Sequence, residues 1–177
     1  MNISKNSYYY IFGTVLFVLL KFGFKQSNLE DLTFLLKPTD LLLSAMVGSS
    51  SEYIDNIGYY HQKLDVVIDK SCAGFNLWTI LFLMLLYLFL EHSKTHFIKM
   101  IVFPLILLFS LVITIFVNTA RIFVSIISQN TLSELLYLQT HVIHEGLGIL
   151  VNLSFLIVTY LITDTLIKKY THHAQLT

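Results

Sequence analysis

The stretch VIDKSCAGFNLWTILFLMLLYLFL, residues 67–90, passes from a charged segment into an uninterrupted apolar one within a few positions. Cys72, the only cysteine in the chain, stands at that transition. The apolar part, Phe75 to Leu90, carries no charge and approaches the roughly 20 residues that a helix needs to cross a hydrocarbon core. The composition around it agrees. The chain has 177 residues, 55% of them apolar and 12% charged, whereas a soluble domain carries about 25% charged residues. Lipid is therefore the solvent for most of this chain. The formal net charge is zero, so no basic field points to nucleic acid. A single cysteine excludes an intramolecular disulfide and a cysteine-based metal cluster.

Working outward, three more stretches read as spans. Tyr8 to Phe24 is interrupted only by Lys21, which can snorkel to a boundary. It is followed by no small-residue cleavage site, so it reads as a retained anchor. Phe97 to Val117 contains Pro104, which membrane helices tolerate. Gly146 to Thr163 ends at Asp164, Lys168 and Lys169. Two stretches stay open. Leu32 to Val47 contains Lys37, Pro38 and Asp40, and either spans or lies in the interface. Arg121 to Tyr137 either spans or forms a re-entrant pair. The expected fold is an all-α, polytopic membrane helix bundle, a single domain of about five to six membrane helices.

Lysine and arginine collect in cytoplasmic loops. Residues 91–99 hold two lysines against one glutamate, and the tail 165–177 is also basic; both are expected in the cytoplasm. Segment 49–71 carries Glu52, Asp55, Asp65 and Asp69 against two lysines, which suits an extracytoplasmic loop. Its Gly58 and LDVVID run suggest a small extended hairpin. The side of the N-terminus depends on whether Leu32 to Val47 spans. This orientation puts Cys72, Arg121 with Asn118 beside it, and His141 and His144 at one depth on the outer face.

Each of these residues has a plain structural reading as well. A lone membrane cysteine is usually a small apolar filler. Ser71, however, is a plausible cap that places the thiol in the first turn of a helix, where a free thiol pKa of about 8.5 can fall. Arg121, the only arginine in the chain, can be an interfacial anchor, yet apolar runs flank it and a charge at mid-bilayer costs on the order of 3 kcal/mol. Asn118 shares its helical face. A forked, permanent cation suits a carboxylate or oxyanion. His141, His144 and Glu145 fall within about one turn and invite a metal, but the HExxH pattern is missing. No metal and no cofactor are expected. His92, His96, His172 and His173 are expected on the cytoplasmic side, without a chemical role.

A Cys-Ala-Gly step opening one helix, Asn-x-x-Arg closing a later one and His-x-x-x-Gly opening the last resemble the exosortase/archaeosortase family, in its compact exosortase K type. The proline-containing FLLKPTDLL, residues 34–42, is similar to a segment this family carries before its cysteine. The resemblance runs from about Leu32 to Thr163. It implies a membrane-embedded cysteine protease or transpeptidase at the outer face of the cytoplasmic membrane. The implied partners are exported proteins with a C-terminal sorting signal, a Pro-Glu-Pro-like motif followed by a membrane helix and a basic end. The implied catalytic residues are Cys72, Arg121 and His144, with Gly148 four residues after His144 favouring it over His141. Asn118 is expected to orient Arg121, and Glu145 an imidazole. The competing reading is a non-catalytic membrane subunit in which Arg121 is a structural charge.

Overall fold

A computed structural model of the chain describes residues 7–92, 96–136 and 140–173, without the side chains of 96, 129–136, 140–145 and 170–173. The protein is mostly helical. In chain order come α1 (Ser7–Gln26), α2 (Thr33–Val47), β1 (Glu52–Ile54), β2 (Gly58–His61), β3 (Val66–Ile68), α3 (Phe75–His92), α4 (His96–Leu136) and α5 (Thr140–His173).

Among the described residues, four segments are long and apolar enough to cross a membrane: Ser7–Gln26, Lys70–His92, Phe97–Ser128 and Gly146–Lys169. This is fewer than the five to six helices expected, for two reasons. The 15 residues of α2 rise only about 22 Å, too short for a hydrocarbon core of about 30 Å. Arg121 to Leu136 forms neither a separate span nor a re-entrant pair. It continues α4, a single helix of 41 residues that rises about 60 Å. The basic tail likewise continues α5 to His173, with Lys168 Nζ donating to Asp164 Oδ2 at 2.7 Å, one turn back.

The chain divides into two compact units. The first combines α1, α3 from Asn76 onward, α4 up to Val112 and α5 from Leu156. Its core is apolar and aromatic. Phe103 meets Phe12 at 5.1 Å and stands edge-on to Phe82 at 5.4 Å between ring centroids. Gly13 faces α3 so closely that a Cβ there would lie 2.5 Å from Leu86 Cδ2. Polar groups in this unit find partners, as they must where no water competes. The Trp78 indole N–H donates to the Leu107 carbonyl at 3.2 Å, and Lys21 donates to Asn76.

The second unit spans residues 27–75 and 113–155. It contains α2, the sheet, the turn carrying Cys72, the C-terminal half of α4 and the start of α5. The expected hairpin is a three-stranded antiparallel sheet in the order β1-β2-β3. Tyr53 pairs with Tyr59, Tyr59 with Ile68, and His61 with Val66. Alternation places Ile68 and His61 on one buried face, and both are fully buried. Gly58 is required for two reasons. Its φ is +119°, and a Cβ there would sit 2.3 Å from the Ile68 carbonyl oxygen, a contact that rigid backbone cannot relieve.

Gly58→Ala is accordingly expected to destabilise the protein by about 1–3 kcal/mol. Gly23→Ala, on a helix with open space around the new methyl, should be neutral or slightly stabilising. Thermal unfolding of both variants in detergent, compared with the parent, checks this contrast.

Candidate functional site around Cys72, Asn118 and Arg121

Val66 to Ile68 ends the sheet, and the next residue organises the turn. Asp69 adopts an extended backbone and closes a 3-10 turn over Lys70–Cys72. Its Oδ1 accepts from the backbone N–H of Ser71 at 2.9 Å, from that of Cys72 at 3.3 Å, and from the Ser71 hydroxyl at 2.6 Å. The capping residue is therefore Asp69 and not Ser71 as expected, because a carboxylate two residues earlier reaches both N–H groups at once. Cys72 ends this 3-10 turn and precedes α3 by three residues, so the thiol lies in the short turn that leads into α3 rather than in α3 itself. The N–H groups of the turn are directed at Asp69 rather than at the sulfur. The Ser71 proton is committed to Asp69, which leaves its Oγ as an acceptor 3.8 Å from Cys72 Sγ. Lys70 Nζ donates to the Ser27 carbonyl at 2.6 Å and pins the turn to the chain that follows α1. Cys72 is 7% exposed.

Gly74 then swings the chain into α3 with φ +68°. A Cβ at this position would meet Asn118 Cγ at 2.9 Å. The Cys-Ala-Gly step thus has a local physical cause: the glycine supplies a left-handed backbone and leaves space for an asparagine from α4. Asn118, 1% exposed, donates its Nδ2 to the Cys72 carbonyl. That carbonyl can only accept, which fixes the amide's orientation and turns Oδ1 away, buried and without a partner among the described residues. One N–H of the Asn118 amide is thus given to the backbone of the cysteine turn, 46 residues away in sequence.

Arg121 lies three residues further along α4, on the same face as Asn118. Its Nε is buried without a partner among the described residues. Its stem runs against α5, where a Cβ on Gly148 would lie 3.4 Å from Arg121 Cδ. Gly148 is thus the position on α5 beside which the guanidinium stem passes. The backbone of Cys72 is thus held against Asn118, one turn before Arg121 on the same face of α4.

His141, His144 and Glu145 belong to α5, but their side chains lie outside the described residues, so the roles expected of them have no geometry here. Helix register alone puts His144 one turn before Gly148 on the same face of α5, and His141 nearly two turns before it.

One buried pair escaped the sequence. His61 Nε2 and Asp40 Oδ1 stand 2.9 Å apart, and Asp40 Oδ2 accepts from the Ser51 hydroxyl at 2.9 Å. The pair fastens β2 to α2. In the sequence Asp40 stands out only as a lone carboxylate in an apolar run, a group that needs a partner when buried. His61 was the one histidine in the segment expected on the outer side. The nearby Tyr59 phenol is pushed up from its ordinary value by burial first and by the Asp40 charge second. Tyr60 is raised mainly because its hydroxyl donates to Asp65, at 3.1 Å.

Comparison with protein-family models, with curated proteins and with solved structures finds no match for this chain.

Removing either member of the buried pair strands the other. His61→Ala and Asp40→Ala should each cost about 3–5 kcal/mol. The double variant should lose clearly less than the sum, because no unpaired charge remains. Denaturation of the four proteins of this cycle measures the coupling.

Proposed function

We propose that this membrane protein is a cysteine peptidase or transpeptidase acting on exported proteins that carry a C-terminal sorting signal. The observation that carries the reading is the bond from Asn118 to the Cys72 carbonyl, which holds the backbone of the only cysteine against the face of α4 that carries the only arginine. An arginine whose Nε lies buried without a partner among the described residues supports it further, because such a donor suits a developing oxyanion or a substrate carboxylate. The motif order that resembles exosortases supports the same chemistry.

With four spans both termini lie on one side of the bilayer. The lysines of residues 91–99 and of the tail favour the cytoplasm for that side. The turn of Cys72 then faces the extracytoplasmic water.

In this mechanism Cys72 Sγ attacks the scissile carbonyl carbon while His144 takes the thiol proton. Arg121 stabilises the charge on the tetrahedral oxygen. The C–N bond breaks as His144 returns the proton to the leaving amine, and a thioester remains on Cys72. Water or an acceptor amine then attacks the thioester and regenerates the thiol, giving hydrolysis in the first case and transfer in the second.

Co-expression with a sorting-signal substrate tests the reading through the size of the product. Cys72→Ala and Cys72→Ser should abolish processing, with the protein still inserted. Arg121→Lys should also fail, since a point charge does not replace a forked donor. His144→Ala should abolish processing and His141→Ala should not. Undiminished processing by Cys72→Ala would leave the non-catalytic membrane subunit as the reading.

A further inference from the structure

Thr114, Asn118, Arg121 and Ser125 recur at intervals of four, three and four residues and form one polar stripe along α4. Arg121 is the cation in it, and its guanidinium nitrogens are not alike. Nε is buried without a partner among the described residues, while the residue as a whole is half-buried. The buried part lies where the stem passes α5. A Cβ on Gly148 would sit 3.4 Å from Arg121 Cδ and 3.8 Å from Nε.

On α5, Asn152 Oδ1 is likewise buried without a partner among the described residues. Residues four apart share a helix face, with Cβ atoms about 5–6 Å apart. Asn152 therefore stands one turn from the glycine that Arg121 Nε passes. Phe116 stands edge-on to Phe155 at 6.4 Å and Arg121 abuts Gly148, so α4 and α5 run antiparallel here. Side chains of an α-helix lean towards its own N-terminus. On α4 this tilts Arg121 back towards the level of Asn118. On α5 it tilts Asn152 back towards Gly148. The two side chains thus lean towards each other from opposite helices, one with an unpaired donor and the other with an unpaired acceptor. Both belong to the unit that holds the Cys72 turn. Asn118 Oδ1 is a rival acceptor, but its amide is held by the Cys72 carbonyl, and the Arg121 stem is laid against α5.

We infer that Asn152 is a positioning residue for Arg121: its amide oxygen takes the Nε–H and sets the plane of the guanidinium. The inference rests on the peptidase reading above and adds the residue that aims its cation. A buried donor and a buried acceptor are each unfavourable while unpaired. Rotation of the Asn152 amide about its own side-chain bonds pairs them with neither helix moving. The guanidinium is planar and rigid, so holding Nε–H fixes where its remaining N–H groups point. Those groups are then left for a developing oxyanion. An amide suits this task better than a carboxylate, because it orients the cation without cancelling the charge that stabilises the oxyanion.

Arg121 is the only arginine in the chain, so protein grown on 15N-labelled arginine gives a single Nε–H signal in nuclear magnetic resonance. The test uses full-length protein in lipid nanodiscs and reads how fast this hydrogen exchanges with water. Asn152→Leu and Asn152→Ala should each speed the exchange about tenfold, by removing one buried bond. Asn152→Asp keeps an acceptor and should stay within about twofold of the parent. With a purified sorting-signal substrate, Asn152→Leu should lower kcat about tenfold and leave KM within about twofold, since the aimed charge acts in the transition state.

Exchange at the parent rate in Asn152→Leu and Asn152→Ala would overturn the inference. So would exchange as fast in Asn152→Asp as in Asn152→Leu, or a parent kcat in Asn152→Leu. Processing that survives Cys72→Ala, together with the expected exchange rates, would overturn the catalytic reading and leave the hold of Asn152 on Arg121 standing.

Discussion

A carbonyl oxygen held away from water needs a donor, and the Cys72 carbonyl takes its donor from Asn118. Much of the second unit follows from that requirement. The amide enters only because Gly74 has no Cβ. Once it is seated, it brings the turn of Cys72 to one face of α4, the face that carries Arg121. An apolar surround makes the bond both necessary and specific, because no water competes for either partner.

The turn is secured from its other side by charge. Asp69 gathers two backbone N–H groups and the Ser71 hydroxyl, while Lys70 reaches the Ser27 carbonyl. The sheet before it is fastened to α2 by His61 and Asp40. Apart from the local Asp69 cap, these fastenings join segments far apart in sequence, so the position of Cys72 depends on contacts from 27–75 and from α4 together.

α4 shows how one helix can serve two environments. Up to Val112 it packs against aromatic and aliphatic side chains. From Thr114 onward the same helix carries its polar stripe. No break separates the halves, because nothing between Phe97 and Leu136 terminates a helix. Pro104, near the beginning, removes one N–H but is accommodated, as membrane helices allow.

Hydropathy and helical periodicity are local properties, and what depends on them was legible in the amino-acid order. The apolar spans beginning near Tyr8, Phe75, Phe97 and Gly146 appear where they were expected, as does an extended element around Gly58. The shared face of Asn118 and Arg121 follows from a spacing of three. The limits of α2 and the fusion of Arg121 to Leu136 into α4 were not legible, because composition near a boundary fits an interfacial segment as well as a continuing helix. Nor could the order of residues choose partners. Ser71 and Asp69 are both good caps, and only the backbone path gave the position to Asp69. Asn118 had a plausible partner three residues away and took one 46 residues away. His61 and Asp40 met across 21. Which polar group satisfies which, once water is excluded, is decided by how the segments pack, and that belongs to the tertiary structure alone.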